Sequence, residues 1–567
     1  MRRHTVRTRA LPVATLVAGL AVGSGTGAMA QGAAEMGSAI QPVAACASLM
    51  SADLSDVDTV ITSAGAETRE GHDFCFVQGY ISPQTQFEAL LPLTTWKGRY
   101  LQQGCGGFCG FLGVSLTDPS RTSAHQAPWA PLLSGEVVVA ASNNGHYGGG
   151  NPLWAKDDLR LRVEYGYGSE HALAQTMKAM IQTFYGQEPT QSYFDGVSNG
   201  GRQALALAQR FPEDFDGILA GAPGNNWAPF AGMASAWMVR ANLDDQGRMI
   251  LTSEKLPALH EAVMNACADD QGVIQDPRAC TFEPETIQCE AGRDEADCLT
   301  AEEVEAVRKL YQGATDAEGR SLYNGGQPFG SELAWNTWLI QPDDDAQNPD
   351  NTYAGGLALG HLRYMASLDG AEEDLQLADV EFTAAEHDRL QEFGAVYNSN
   401  NPDLTAFRDA GGKLIVYHGW SDEGIPPFST VDYYQAVVET VGGFEEAQAF
   451  SRLYMIPGLY HCPCGNPELG DPATEVQFMQ ELVDWVENDT APGVKELPVI
   501  ASTSAAAPAS LQVAPFDPTL PPPDNEGLNN NYDYVGRESS YEPGNNLWCE
   551  QQGPTLVCTG DQADGEQ

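Results

Sequence analysis

Between Ser192 and Phe211 the chain reads S-Y-F-D-G-V-S-N-G-G-R-Q-A-L-A-L-A-Q-R-F, and this stretch leaves little freedom to whatever folds around it. A short aromatic run, Tyr193 and Phe194, stops at Gly196-Val197-Ser198-Asn199-Gly200, and a run of good helix formers begins directly behind it. The pattern is strand, tight turn, helix. In a G-x-S-x-G turn the glycines keep Cβ atoms out of a crowded, strained backbone, so the serine hydroxyl is presented at the carboxyl edge of a sheet. Ser198 is therefore the candidate nucleophile. Taken alone the motif also describes a plain Gly/Ser turn, so its surroundings must decide.

Those surroundings alternate strands with helices. The segment Cys75 to Gln103 reads as antiparallel strands, with the third at Gly98 to Gln102. Glu136 to Ala141 is a β-branched run suited to a central strand buried on both faces. Gly168 to Tyr185 carries Leu173, Met177, Met180 and Ile181 at helical spacing, and Gly217 to Ala222 reads as the next short strand. The core is α/β, parallel near its centre. After Pro223 the alternation stops, and residues 225–405 hold clustered cysteines, acidic loops and tryptophans, too much for a connecting loop. The rhythm resumes at Gly412 to Tyr417, with a helix near Val431 to Val441, a strand at Arg452 to Ile456 and a helix at Glu475 to Val486. The expected division is an N-terminal segment 1–30, core 31–224, an inserted lid domain 225–405, core 406–492 and an irregular tail 493–567.

A serine nucleophile needs a base within hydrogen-bond reach and an acid to hold that base, which α/β-hydrolases supply in the order Ser, Asp/Glu, His. Asp422 follows a predicted strand in Y-H-G-W-S-D, and His461 follows another in M-I-P-G-L-Y-H-C. Three chemical residues at three strand ends, in that order, identify a Ser198/His461/Asp422 triad. The glycine-rich loop Gly104 to Gly110 lies behind the third strand, where backbone N–H groups of Gly106 or Gly107, with that of Asn199, suit an oxyanion hole. A binding protein built on a hydrolase scaffold would have no need of a complete triad.

Composition narrows the setting. A formal net charge of -48, from 77 acidic and 29 basic residues, gives a strongly hydrated surface that repels nucleic acid and suits high salt. Arg2, Arg3, Arg7 and Arg9, the apolar run Leu11 to Val22 and Ala28-Met29-Ala30 form an export-signal pattern, and no later apolar stretch is long enough for a membrane span. The expected location is secreted or periplasmic. There the 12 cysteines imply disulfides, with Cys46 and Cys75, Cys267 and Cys280, Cys289 and Cys298, and Cys549 and Cys558 as candidate pairs.

The chain resembles the tannase/feruloyl esterase family, which includes the mono(2-hydroxyethyl) terephthalate hydrolases. The resemblance runs from about Cys46 to Glu487 and is carried by F-E-A-L-L-P-L-T-T-W-K-G-R-Y-L-Q-Q-G (Phe87 to Gly104), the Ser198 turn with R-F-P-E-D-F-D-G-I-L-A-G-A-P (Arg210 to Pro223), and Y-H-G-W-S-D-E-G-I-P-P (Tyr417 to Pro427). It implies an α/β-hydrolase core with a lid, the triad above, and hydrolysis of esters of hydroxylated aromatic acids. The alternatives are terephthalate monoesters and aliphatic or polyester oligomers. No cofactor is required by that chemistry. Two departures stand out. The family pairs a cysteine before the serine with one after the histidine, but Val197 occupies the first position here, so Cys462 stays free or pairs elsewhere, with Cys464, Cys105 or Cys109 as candidates. A bridge from the glycine-rich loop to the histidine loop would replace the missing tether. The family's calcium loop also looks shortened around Asp269, Asp270 and Asp276, with Gln271 where an aspartate is expected, so a solvated turn is the favoured reading. His418, and Arg363 with Tyr364 downstream of Trp335 and Trp338, are candidate substrate contacts, although ordinary packing explains them as well.

Overall fold

A computed structural model describes residues 38–117, 129–341, 348–367, 370–461, 476–498, 510–521, 534–541, 547–552 and 555–559. The export-signal pattern, Cys462 and Cys464 lie outside the described residues. Nine strands form the central sheet: β1 (Thr59–Arg69), β2 (His72–Ile81), β3 (Thr85–Pro92), β4 (Arg99–Gln103), β5 (Val137–Ser142), β6 (Gln191–Val197), β7 (Gly217–Gly221), β8 (Lys413–Gly419) and β9 (Ser451–Ile456). Their spatial order is β1-β2-β3-β5-β4-β6-β7-β8-β9. From β5 onward every pairing is parallel, whereas β1, β2, β3 and β5 pair antiparallel. This corrects the expectation for β4, which pairs in parallel with β5 and β6 because β5 inserts between it and β3.

Period-two alternation sets the layers. Phe194, Ile218, Ala220, Leu414 and Val416 face one hydrophobic layer, while Tyr193, Val197, Leu219, Ile415 and Tyr417 face the other. The first layer is closed by α1 (Ser169–Tyr185), α2 (Asn199–Arg210) and, beyond the insertion, a helix at Phe428–Val441, with Met177, Leu205 and Val437 among the contacts. The 12-residue α2 starts one residue after Ser198.

Residues between β7 and β8 add no strand to this sheet among the described residues. They hold α3 (Leu256–Cys267), α4 (Ala301–Gln312) and α5 (Tyr353–Tyr364), and α4 opens with a capping box between Thr300 and Glu303. Their apolar faces supply most of a third hydrophobic cluster, which also takes in Cys105, Phe108, Cys109 and Tyr165 from the core side. These residues belong to the compact unit that runs from Ala39 to Gln567. The Phe428–Val441 helix is α6, and α7 (Met479–Asn488) closes the second face of the sheet with Leu482 and Trp485.

The described parts of the C-terminal segment include regular structure, where its composition predicts an irregular tail. It contributes the hairpins Lys495–Pro498 with Ser510–Val513 and Trp548–Gln552 with Thr555–Thr559. The Phe516 N–H donates to Leu453 O at 2.7 Å, and Leu547 O accepts from Arg210 at 2.7 Å, so both parts dock on the core. The four pairs expected from the sequence are disulfides, and Cys105 bonds Cys109. A bridge from the glycine-rich loop to the histidine loop is therefore ruled out: a four-residue separation brings the Cys105 and Cys109 Cα atoms to 5.3 Å, within ordinary disulfide geometry. Among the described residues no helix is long and apolar enough to cross a membrane.

Candidate active site

The parallel strands deliver the three sequence-predicted residues to one place. Ser198 sits between β6 and α2 with φ 65° and ψ -120°, a conformation costly for any residue with a side chain. It is held there by its N–H donating to Gly221 O at 3.0 Å and by its carbonyl accepting from Arg202 N at 3.1 Å. Gly196 is required by contact, since a Cβ there would lie 2.5 Å from Gly200 O. The Ser198 Oγ is 3.0 Å from His461 Nε2, and His461 Nδ1 is 2.9 Å from Asp422 Oδ2. Base and acid come from the loops after β9 and β8.

Asp422 is fully buried and every bond it receives suits the carboxylate. Oδ1 accepts the N–H groups of Gly424 at 2.9 Å and Ile425 at 2.7 Å. Oδ2 faces both His461 and His418, the latter at 3.1 Å. Burial alone would raise its pKa, but the His461 charge and the bonds from both histidines hold it well below the usual carboxylate range. For His461 burial opposes the imidazolium, yet the Asp422 charge and hydrogen bond lift its pKa above the ordinary histidine value. The arrangement can take a proton from Ser198 and stabilise the cation that forms.

His418 does not line a pocket. It is fully buried behind Asp422, with Nδ1 2.8 Å from Thr430 Oγ1 and Nε2 3.0 Å from Ile425 O, so it backs the acid. Arg363 is also spent elsewhere, donating from Nε to Leu375 O at 2.8 Å, and Tyr364 O accepts from Arg162. Trp335 is buried with its Nε1 donating to Ser331 Oγ. Trp338 is the one of that group at the site, its ring 5.1 Å from His461 edge-on and 4.3 Å from Tyr353 in a stack. Tyr353 is 48% exposed, and its hydroxyl lies 2.8 Å from where a Cβ on Gly107 would stand, which explains the glycine at that φ of 56°. The aromatic pair thus spans from the base to the glycine-rich loop.

Of the oxyanion candidates, Asn199 touches the glycine-rich loop. Asn199 is the first residue of α2, where the N–H groups have no partner within the helix, and its side chain reaches Cys105 O at 3.3 Å. Among the described residues neither Gly106 N–H nor Gly107 N–H donates to another protein group. Sequence reasoning missed the role of Glu423, whose carboxylate oxygen accepts the His461 backbone N–H at 3.0 Å. Burial, and then the Asp422 charge beside it, push the Glu423 carboxyl up to about 8. Its adjacency to the acid in W-S-D-E-G was the only signal.

The calcium candidates do not fit an oxygen cage. Asp269 accepts from Gln271 N, Val273 N and Gln275 Nε2, Asp276 is taken by Arg278 on both oxygens, and Asp270 is exposed. No group of three or more His, Cys, Asp or Glu gathers as a metal site among the described residues.

Comparison with known proteins agrees with this geometry. The family model for tannase and feruloyl esterase matches residues 71–524. The chain is 29% identical over 499 residues to the mono(2-hydroxyethyl) terephthalate hydrolase of Piscinibacter sakaiensis, covering 77% of this chain and 79% of that protein. It is 30% identical over 505 residues to an uncharacterized esterase of Xanthomonas campestris, covering 79% and 83%. The crystal structure of feruloyl esterase B from Aspergillus oryzae superposes with a TM-score of 0.68 at 23% identity, covering 83% of this chain and 95% of that one, which supports the fold. With a serine, a histidine and an aspartate joined at the strand ends of such a fold, the chain belongs to the tannase and feruloyl esterase family and is a carboxylic ester hydrolase.

Proposed function

We propose that this is a secreted or periplasmic serine esterase acting on carboxylic esters of hydroxylated aromatic acids through an acyl-enzyme. The observation that carries the reading is the continuous relay from Asp422 through His461 to Ser198, at 2.9 and 3.0 Å. His461 Nε2 takes the Ser198 proton as Oγ attacks the ester carbonyl, and Asp422 fixes the ring and its charge. The negative oxygen of the tetrahedral intermediate is received by the N–H of Asn199 and by that of Gly106 or Gly107. His461 then gives its proton to the leaving alcohol, and water repeats the sequence to free the acid. These steps use side chains and backbone of the chain alone. Export is supported by the disulfides and by the N-terminal pattern in the sequence. The aromatic acid is supported by Trp338 and Tyr353, which offer a flat apolar wall beside the base.

A second substrate reading, a terephthalate monoester, is favoured by the likeness to the Piscinibacter enzyme. Initial rates on methyl ferulate, methyl gallate and mono(2-hydroxyethyl) terephthalate decide between them. The proposal expects kcat/KM at least tenfold higher on one of the hydroxylated esters. A preference for the terephthalate monoester would replace it with the second reading. Failure of a fluorophosphonate to label Ser198 would remove both.

A further inference from the structure

Five carbonyls of the glycine-rich loop, those of Cys105 to Phe108 and of Gly110, have partners. Cys105 O accepts from Asn199 Nδ2 at 3.3 Å and Gly106 O from Cys109 N at 2.9 Å, while the single proton of the Tyr165 hydroxyl is shared between Gly107 O at 3.0 Å and Asn199 Oδ1 at 3.1 Å. His146 Nε2 lies 2.6 Å from Phe108 O, and Gly148 N donates to Gly110 O at 3.1 Å. A trans peptide carries its C=O and the following N–H on opposite sides, so fixing a carbonyl against the core fixes the next N–H away from it. For the Cys105–Gly106 peptide the holding group is the buried Asn199 side chain, directly behind the nucleophile.

That side chain is itself held without slack. Asn199 Oδ1 accepts from Arg202 Nε at 2.6 Å and lies 3.1 Å from the Tyr165 hydroxyl, which fixes the amide so that Nδ2 faces Cys105 O and Cys109 Sγ. Arg202 is wholly buried, one helical turn behind Ser198, and no carboxylate pairs with it among the described residues. Its terminal nitrogens donate to the carbonyls of Gly166, Tyr397 and Tyr165, and its plane lies over the Tyr165 ring at 4.7 Å. A buried cation is costly unless its donors are used, and four N–H groups of this guanidinium find oxygens, one of them on the Asn199 side chain. Gln203 secures the same loop from the next helical position, accepting Cys105 N at 3.1 Å.

We propose that the Asn199 side chain, clamped by Arg202 and Tyr165, is the positioning group that turns the Gly106 N–H toward the oxyanion. One residue then organises both halves of the hole: its own N–H directly, and that of Gly106 through its side chain. The network ties the nucleophile's helix to the oxyanion loop and stands whether or not any cysteine links the nucleophile to the histidine loop. This rests on the serine-esterase reading above.

The test is Asn199→Asp, which keeps size and the Arg202 contact but sets an oxygen against Cys105 O in place of a donor. We expect kcat to fall about 10²-fold with KM within about threefold, the pattern of a lost oxyanion donor. Affinity for an aryl boronic acid, which mimics the tetrahedral intermediate, should fall by a similar factor while the melting temperature stays near that of the parent. Tyr165→Phe, which removes only the hydroxyl, should lower kcat about three- to tenfold and serves if the first variant does not fold. Parent-like kcat in a folded Asn199→Asp, or in Tyr165→Phe where that variant stands in, overturns the proposal, as does a loss seen in KM alone. Fluorophosphonate labelling of the parent at Ser198 is measured first. An unlabelled parent sinks the esterase reading, whereas a labelled parent with parent-like variants sinks only this proposal.

Discussion

The two halves of the site are held by different means. On the nucleophile side, Ser198, Asn199 and the 104–110 loop are fixed by backbone geometry and a buried polar network, with a disulfide closing the loop on itself. On the base side, His461 follows β9 and is held by Asp422 on its ring, Glu423 on its backbone N–H and Trp338 against its edge. The Cys105–Cys109 bond lies wholly within the first half. The contrast teaches that the serine needs a strained, preset backbone, whereas the histidine needs its ring aimed and its charge balanced.

Chemistry should ignore this contrast. Ser198→Ala and His461→Ala are each expected to lower kcat by about 10⁴–10⁶-fold, and Asp422→Asn by about 10³–10⁴-fold, with far-ultraviolet circular dichroism unchanged. The Ser198→Ala/His461→Ala double variant should be no slower than either single one, because the residues act as a unit. Near-full turnover in Asp422→Asn would mean that the base half is organised around another carboxylate.

A pH series sharpens the comparison, because the base half carries a carboxyl, that of Glu423, pushed up to about 8. With its pKa raised from 4.5 to about 8, Glu423 keeps its proton in the folded state while the unfolded chain loses it. Stability from this group is therefore complete below about pH 4.5, declines as pH rises, and is flat above about pH 8. Glu423→Gln can still accept the His461 N–H but cannot ionise. Its melting temperature relative to the parent is expected to climb between pH 5 and 8, by a few degrees or more. A constant difference across that range would show that Glu423 is already ionised in the folded protein.

The smallest expected effect is on the surface that both halves share. With a net charge of -48, added sodium chloride should raise the melting temperature, since about 1 M salt shortens charge repulsion to a few ångströms. The buried polar network should be indifferent to it. A steady fall in melting temperature with salt would show that exposed ion pairs, not repulsion, dominate.

What the sequence determined by itself follows from local constraint. Gly196 stands before Ser198 because a side chain there would collide with the Gly200 backbone, so the turn is written in the residues that make it. The buried strands β5, β7 and β8 are short apolar runs, legible because both faces are covered. Asp422 and His461 were legible by their place just past such strands. Tertiary structure decided the rest. Whether β4 pairs with β3 or β5 depends on a strand more than thirty residues away, and nothing in R-Y-L-Q-Q records it. His418 and Arg363 looked like contacts because polarity is visible in sequence, yet burial, which turns one toward Asp422 and the other toward Leu375, is not. Arg202 shows the same limit: its cationic side chain reads as surface, and only packing against Tyr165, with carbonyls around it, makes a buried charge the support of the oxyanion loop.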